Sequence, residues 1–288
     1  MNKLDISVIV PVYNEEFSLK DILGRVKDTL SKSNLKYEII VVNDGSEDNS
    51  RKVLEKIQGI KLVNHPYNKG YGASLKTGIN NSNGNLILII DADGNSSPEE
   101  IPNLLKHIND YDMVIGARNV SKNIPLSKML AKFLIILTAN FLTKKKIPDI
   151  NSGFRVFKKD LVMRFLHLLP EGFSFTTTLT VASLINNYNV KFIPVSYLKR
   201  NYGKSKIKPI SDFINFLQLI IRIIVYFNPL RVFSLISIIL FLAGSILFFY
   251  SVFVLGEVLD ITITIVLLSS LNIFILGIVA DLIVRSRK

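Results

Sequence analysis

Two long stretches near the end of the chain contain no charged residue. Residues 232–256 and 261–280 are mostly apolar, and each is long enough to cross the ~30 Å hydrocarbon core of a bilayer as a helix. Only residues 257–260 separate them. A pair of buried core helices is the alternative, but a core of this size rarely needs two uncharged helices of that length. The pattern predicts a transmembrane hairpin with spans of about 232–256 and 261–282.

The charges that flank the two spans predict their orientation. Lys and Arg near membrane helices concentrate on the cytoplasmic side. The connecting turn has neither residue, whereas the basic flanking residues are Arg200, Lys204, Lys206, Lys208, Arg222, Arg231, Arg285, Arg287 and Lys288. We therefore expect an integral protein of the cytoplasmic or ER-type membrane, with residues 1–230 in the cytosol.

The overall composition narrows the classes of chemistry. The chain has 35 Lys and Arg against 23 Asp and Glu, a net charge of +12. That excess suits nucleic acid, an anionic membrane surface or a phosphorylated substrate. The absence of cysteine excludes disulfides, thiolate catalysis and cysteine-bound metals. Three scattered histidines argue against a histidine metal site or a Ser-His-Asp triad.

Residues 1–125 alternate between strand-like and helix-like patterns. Five short β-rich runs, ISVIVPV, YEIIVV, IKLV, NLILII and DMVIGA, are separated by segments with helical spacing. Strands separated by helices predict an α/β fold with a mostly parallel sheet. Such sheets bind ligands at the carboxyl ends of their strands, so the residues that follow each strand are the candidates for a site.

Two of the helical segments carry recognisable signals. Residues 17–30 have an apolar stripe that opens at Phe17. Another helix is expected to begin at Ser97, with Pro98 at its first helical position and Glu100 completing a capping box.

A pair of acids follows the fourth strand. Asp91 and Asp93 come directly after the apolar run Leu86–Ile90, and side chains two apart on an extended segment point to the same side. Two such carboxylates suit a hard divalent cation whose other ligands are water or substrate phosphate.

The glycine-rich residues 70–77 do not match the phosphate-binding loop of nucleotide-binding proteins, because Leu75 stands at the position of its second glycine. The strand ends therefore indicate a site for a nucleotide and a metal.

Several motifs resemble known families. Residues Pro11-Val-Tyr13-Asn14-Glu15, Asn43-Asp44-Gly45-Ser46, Asn68-Lys69-Gly70 and Asp91-Ala-Asp93 resemble family 2 glycosyltransferases of the GT-A fold. The later motifs are similar to polyprenyl-phosphate sugar transferases of the dolichol-phosphate mannose synthase type; they are Asp149-Ile-Asn-Ser152-Gly153-Phe154-Arg155, Glu171-Gly172-Phe173 and Arg200 to Lys206. The resemblance covers roughly residues 5–230. One departure is Asn43, where the family usually has aspartate.

The resemblance implies roles for individual residues. Mg²⁺ or Mn²⁺ would be bound by Asp91 and Asp93. Catalytic roles would fall to Asp91, Asp93, Arg118 and Arg200. The nucleotide-sugar would be bound by Pro11, Tyr13, Glu15, Val42, Asp44, Lys69, Asp91, Ala92, Asp93 and Asn95. Phosphate of the acceptor would be bound by Arg118, Lys128, Arg200 and Lys206.

The basic residues of the chain and its lack of tryptophan both favour a phosphate as the acceptor group. A hydroxyl acceptor needs a general base, whereas a phosphate monoester, with a second pKa of about 6, is largely a dianion at neutral pH. Five of the ten residues 199–208 are basic, which suits phosphate docking, although the same run would serve as a membrane anchor on anionic lipid. The tryptophan-containing acceptor motif of processive synthases is excluded because the chain has no tryptophan.

The expected reaction is metal-dependent, inverting transfer of a hexose from GDP-mannose or a UDP-hexose to a polyprenyl (dolichyl or undecaprenyl) phosphate at the cytoplasmic membrane face. A transferase acting on a glycolipid or lipid hydroxyl, and a non-catalytic membrane scaffold, remain alternatives. Membrane lipids are expected partners, nucleic acid is not, and homo-oligomerisation is left open. The expected organisation is a GT-A domain over 1–210, an interfacial amphipathic helix over 211–228 and the hairpin over 229–288.

Overall fold

The computed structural model describes residues 4–118, 137, 139–140, 143, 145–172, 174–197, 225–226, 229–256 and 260–286. The chain divides into two units, Met1–Phe213 and Ile214–Lys288. Three of the predicted phosphate-binding residues, Lys128, Arg200 and Lys206, lie outside the described residues. Of the predicted interfacial helix over 211–228, the structure describes only residues 225–226. The proposed domain boundaries therefore stay a prediction.

A single mixed sheet organises the described part of the first unit. Its strands are β1 (Ile6–Val12), β2 (Tyr37–Asn43), β3 (Lys61–Asn64), β4 (Leu86–Ile89), β5 (Met113–Arg118), β6 (Arg155–Lys158) and β7 (Val190–Val195). They are arranged in the order β3-β2-β1-β4-β6-β5-β7. Neighbours are parallel except for the two pairs that β6 makes with β4 and β5. The predicted α/β class and all five predicted strands are confirmed.

Helices connect the strands, as the alternating pattern predicts. They are α1 (Leu19–Ser31), α2 (Ser50–Leu54), α3 (Tyr71–Asn80), α4 (Ile101–Leu105), α5 (Lys159–Phe165) and α6 (Phe175–Ile185). The buried stripe of α1 begins at Leu19 and recurs at helical spacing to Leu30. The prediction that Phe17 opens this stripe is wrong: Phe17 precedes the helix and is 72% exposed.

The predicted capping box at Ser97 is also wrong. Residues Pro98–Glu100 form a 3₁₀ turn, and the side chain of Ser97 makes no capping hydrogen bond. The α-helix starts only at Ile101. In one continuous helix the ring of Pro102 would meet the carbonyl of Pro98, so the segment divides into two short turns.

The parallel strands place their ends level with one another. Residues Val12 and Asn43 are opposite each other on β1 and β2, and Asn43 is opposite Asn64 on β3. The strand interiors are buried, because helices pack on the sheet and leave β1 and β4 almost no exposed surface. Polar residues that follow β1, β2 and β4 therefore meet at one edge.

The second unit contains two long apolar helices. Helix α7 (Pro229–Tyr250) continues through a π-helical turn over Ser251–Leu255, and α8 spans Asp260–Ser286. Residues Pro229–Leu255 and Ile261–Ser286 are long and apolar enough to cross a membrane, with mean hydropathies of 2.6 and 2.5. Residues 257–259 of the predicted turn lie outside the described residues.

Small residues bring α7 and α8 together. The hydroxyl of Ser237 donates to the Ser270 carbonyl at 3.0 Å, and that of Ser270 donates to the Ser237 carbonyl at 3.0 Å. A Cβ at Gly244 would lie 2.8 Å from Leu267 Cδ2, and one at Gly277 would lie 2.6 Å from a side-chain carbon of α7. Close approach through small residues and hydroxyl hydrogen bonds is typical of helix pairs in membranes.

Candidate functional site

The loop after β1 is attached to the loop after β2. The backbone of Asn14 has a φ of +55°, and its side-chain oxygen accepts a hydrogen bond from the Glu47 amide at 2.8 Å. The amide of Glu15 donates to Ser50 Oγ at 3.0 Å. These bonds hold the segment that carries two of the predicted donor-binding residues, Tyr13 and Glu15, beside the start of α2.

Two further predicted donor-binding residues lie within the strands. Pro11 of β1 and Val42 of β2 are opposite each other in the sheet register and are both buried. Their side chains pack in the interior, so they shape the edge mainly through their backbone.

Asp44 fixes the loop that leads into α3. Its two carboxylate oxygens accept hydrogen bonds from the backbone amides of Lys69 and Gly70, each at 2.9 Å. His65 Nδ1 lies 2.6 Å from Asp44 Oδ1, and His65 Nε2 lies 2.9 Å from the hydroxyl of Thr77. Both Asp44 and His65 are buried. These contacts show that Asp44 and His65 hold the loop before α3 in place. Direct contact of Asp44 with a nucleotide-sugar stays a prediction.

Asn43, which stands where the resembled family usually has aspartate, has a hydrogen-bond partner on the next strand. Its side-chain amide donates to Asn64 Oδ1 at 2.9 Å, and its oxygen accepts from the Ser46 amide at 3.3 Å. An ionised aspartate could accept the second bond but could not donate the first. The pair lines an open pocket of about 370 Å³ that also includes His65 and Tyr67.

Asp91 is held by residues from two distant segments. The hydroxyl of Tyr71, at the start of α3, donates to Asp91 Oδ1 at 2.9 Å. Gly153 faces the same carboxylate so closely that a Cβ there would lie 2.4 Å from Oδ2. Burial, and then the charge of Asp93, raise the pKa of Asp91 to about 6. Burial also raises the pKa of Tyr71 well above its usual range.

Asp93 is oriented by its own turn. The Asn95 backbone amide donates to Asp93 Oδ1 at 3.0 Å, and the Asn95 side-chain amide donates to Oδ2. Gly94 supplies the left-handed φ of +73° that the turn requires. The hydroxyl of Ser18, the residue before α1, donates to the carbonyl of Ala92 at 2.6 Å, which attaches the turn to the start of that helix.

The two acids fit a divalent cation. Within the described part of the chain, no group of three or more His, Cys, Asp and Glu residues is arranged to hold a metal ion. Asp91 and Asp93 supply two hard oxygen donors at the end of β4, and the repulsion from Asp93 adds to burial in raising the pKa of Asp91. A cation that takes its remaining ligands from water and a diphosphate would relieve that repulsion.

Arg118 ends β5 and is aligned by a buried acid. Its Nε and Nη2 donate to the two carboxylate oxygens of Asp149 at 2.7 and 2.9 Å, and this pairing raises the pKa of the guanidinium. The Arg118 side chain is 38% exposed, whereas that of Asp149 is 1% exposed. Its guanidinium also lies 5.6 Å from the ring centroid of Tyr197. A cation is therefore fixed at the sheet edge with part of its surface accessible.

Arg155 braces the turn that carries Gly153. It is fully buried, and its Nε donates to the carbonyl of Ser152 at 3.0 Å. Its Nη1 donates to the carbonyl of Thr176 at 3.0 Å and to the hydroxyl of Thr180 at 2.9 Å. Burial lowers the pKa of Arg155 to about 10, and the guanidinium still carries its charge at neutral pH.

Sequence reasoning missed several of these residues. The sequence predicts no individual role for Tyr71, His65, Asp149 or Gly153, although Asp149 and Gly153 belong to a motif of the resemblance. Each of the four contacts a site residue that is distant in the sequence. A glycine-flanked tyrosine at a helix start was the only local signal for Tyr71.

Comparison with known proteins gives the following matches. The profile of glycosyl transferase family 2 matches residues 7–166, and that of the GtrB C-terminal hairpin matches residues 228–286. The undecaprenyl-phosphate 4-deoxy-4-formamido-L-arabinose transferase of Proteus mirabilis is 28% identical over 249 residues, which are 84% of this chain and 74% of that protein. The predicted resemblance and the predicted C-terminal hairpin are confirmed, and the two apolar helices indicate a membrane-anchored protein.

Solved structures of one enzyme share the fold. Glucosyl-3-phosphoglycerate synthase of Mycobacterium tuberculosis, crystallised with Mn²⁺, UDP-glucose and phosphoglyceric acid, has a TM-score of 0.60 at 17% identity, over 77% of this chain and 79% of that one. Its crystal with Mg²⁺ and UDP has a TM-score of 0.57 at 16% identity, over 77% of this chain and 78% of that one. The predicted GT-A type of sheet is thereby confirmed.

Proposed function

Because the chain belongs to glycosyl transferase family 2 and is a glycosyltransferase, we propose that it transfers a sugar from a nucleotide-sugar to a polyprenyl phosphate at the cytoplasmic face of a membrane. The observation that carries the proposal is the acid pair Asp91 and Asp93, held at the end of β4 beside the loop that Asp44 fixes. The Proteus mirabilis relative, whose name specifies an undecaprenyl-phosphate acceptor, supports the acceptor class.

The donor would bind along the edge formed by β1, β2 and β4. The residues expected there are Pro11, Tyr13, Glu15, Val42, Asp44, Lys69, Asp91, Ala92, Asp93 and Asn95. Asp91 and Asp93 would hold Mg²⁺ or Mn²⁺; when bound, the ion neutralises charge on the diphosphate leaving group. The Mycobacterium tuberculosis enzyme, which shares the fold, was crystallised with Mn²⁺ and UDP-glucose and with Mg²⁺ and UDP, and this supports a divalent cation and a nucleotide-sugar as ligands of the proposed site.

The acceptor phosphate would act as the nucleophile. One of its oxygens attacks the anomeric carbon as the bond to the nucleoside diphosphate breaks, which inverts that carbon and releases the diphosphate. The attacking dianion carries no proton that a base must remove. Arg118, which Asp149 holds at the end of β5, would stabilise phosphate charge together with Lys128, Arg200 and Lys206.

A donor and acceptor panel tests the proposal. Purified full-length protein with Mn²⁺ is given radiolabelled GDP-mannose, UDP-glucose, UDP-N-acetylglucosamine or UDP-arabinose, the last because the relative's sugar is an arabinose derivative. Each donor is paired with a polyprenyl phosphate or the matching free prenol. We expect label in a polyprenyl-phospho-sugar with one donor and none in the prenol. Transfer only to a hydroxyl would favour the glycolipid-type alternative, and no turnover of any donor would favour the scaffold.

A further inference from the structure

Tyr71 bridges two parts of the predicted donor site. It is the first residue of α3, and its hydroxyl donates to the Asp91 carboxylate at 2.9 Å across 20 positions of sequence. Tyr71 is partly buried, and it directly follows the loop whose Lys69 and Gly70 amides bind Asp44. One short segment therefore contacts the acids that follow both β2 and β4.

The backbone around Tyr71 is held on both sides. Gly70 has a φ of +105°, which side-chain-bearing residues rarely adopt. The carbonyl of Glu171 accepts a hydrogen bond from the Ala73 amide at 2.9 Å, and a Cβ at Gly72 would lie 2.2 Å from the carbonyl oxygen of Pro170. The backbone at the start of α3 is thus held between Asp44 and the segment 170–172, so that Tyr71 extends its hydroxyl to Asp91 from a fixed backbone.

We propose that Tyr71 is a positioning residue for the metal-binding carboxylate of Asp91, a role that rests on the proposed function of the acid pair. The hydroxyl holds Oδ1, and the bare Cα of Gly153 faces the group from the 149–154 turn. Together they restrict rotation of the carboxylate about its Cβ–Cγ bond. A carboxylate that is already oriented loses less freedom when it binds an ion, and removal of such an outer hydrogen bond typically weakens metal binding by about 10- to 100-fold.

The substitution Tyr71→Phe tests this role without changing the ring. Mn²⁺ is titrated into the detergent-solubilised full-length protein, with and without UDP or GDP, and free Mn²⁺ is followed by its electron paramagnetic resonance signal. We expect Mn²⁺ affinity to fall about ten-fold while nucleotide affinity without metal is unchanged. The matched control is Tyr188→Phe, because Tyr188 packs its ring on Phe165 instead; its Mn²⁺ affinity should equal that of the wild type.

A double-mutant cycle separates positioning from a general structural effect. If Tyr71 acts through Asp91, Tyr71→Phe causes no further loss of Mn²⁺ affinity in an Asp91→Asn background. A loss that adds fully to that of Asp91→Asn, or an affinity within two-fold of wild type for Tyr71→Phe alone, overturns the proposal.

A second variant keeps the test decisive if Tyr71→Phe fails to fold. Gly153→Ala crowds the same carboxylate from another segment, and we expect it to weaken Mn²⁺ binding as well; unchanged binding overturns the proposal. A wild-type protein that binds Mn²⁺ but transfers no sugar to polyprenyl phosphate contradicts the proposed function alone. A wild-type protein that binds no Mn²⁺ contradicts both.

Discussion

The sheet unit and the helical hairpin place their apolar side chains in opposite ways, buried in the first and largely exposed in the second. In the sheet unit, Ile9 and Leu88 are fully buried, whereas Phe253 and Ile261 of the hairpin are 80% and 77% exposed. Of the most apolar 18-residue stretch within Pro229–Leu255 only 11% is buried, and of that within Ile261–Ser286 only 17% is buried. The sheet unit gains stability by removing apolar surface from water, whereas the hairpin has an exterior suited to hydrocarbon and an interior of small residues.

Polar groups differ between the two units in the same way. At the sheet edge, the carboxylates of Asp44 and Asp91 are held by partners from distant segments; Asp44 holds a loop of the site, and Asp91 is a candidate metal ligand. Within the described hairpin, the two serines Ser237 and Ser270 bond to each other's backbone and serve packing. The comparison leads to the expectation that substitutions at the edge lower catalysis and leave anchoring intact, whereas substitutions in the hairpin lower its stability and leave catalysis per folded molecule intact.

The largest effect is expected from Asp93→Ala. Loss of one of two metal ligands should lower transfer by about two to three orders of magnitude, since metal-ion stabilisation of charge is worth several kcal/mol. The variant should remain in the membrane fraction. The assay is sugar transfer to polyprenyl phosphate in membranes with matched expression.

The matched control for that prediction is Asp110→Ala, which removes an exposed aspartate and should leave transfer unchanged. Full activity of Asp93→Ala, or of the wild type in excess EDTA, would contradict the metal assignment.

A smaller effect is expected from the basic run before the hairpin. Arg200→Ala, and less severely Lys206→Ala, should lower transfer by about ten- to a hundred-fold, because each charge-assisted contact to phosphate contributes roughly 1.5–3 kcal/mol. Membrane association should persist through the hairpin. Lys52→Ala, which removes an exposed positive charge on α2, is the control. Activity within two-fold of wild type would reduce the run to an anchor and leave Arg118 and Lys128 as the phosphate-binding candidates.

The smallest effect is expected inside the hairpin. Ser237→Ala removes one of the two reciprocal hydrogen bonds between α7 and α8 and should cost about 0.6 kcal/mol of unfolding free energy in detergent. Transfer per folded molecule should not change. Ser245→Ala is the control, because that hydroxyl bonds to the Phe241 carbonyl of its own helix. Equal destabilisation by the two variants would indicate that the interhelical bonds add nothing to hairpin stability.

The parts of this molecule that depend on local sequence could be predicted. Short apolar runs predict the five strands, and long uncharged runs predict the two long helices. The acid pair is visible in the sequence because its two residues lie two positions apart at the end of a strand. Two local signals failed. The capping box at Ser97 is interrupted because Pro102 is incompatible with a continuous helix, and Phe17 remains exposed because α1 begins two residues later.

The contacts that complete the site could not be predicted in the same way. Tyr71 and Gly153 reach Asp91, and Asp149 reaches Arg118, across long stretches of sequence. Which residues meet there depends on strand order, and no local pattern marks β6 as the strand that lies between β4 and β5. Asp44 shows the same limit, because the sequence identifies an acid at a strand end but not the amides that occupy its oxygens.

That central place of β6 has a consequence for synthesis of the chain on the ribosome. Strand β5 is made before β6, yet it cannot dock onto β4, because β6 pairs with both of them. The nascent sheet must keep the free edge of β4 open until residue 158 has emerged. Domains generally fold in the order in which they are translated, and the apolar helices begin only at residue 229. Closure of the sheet, and with it the arrival of Gly153 at Asp91, can therefore precede membrane insertion of the hairpin.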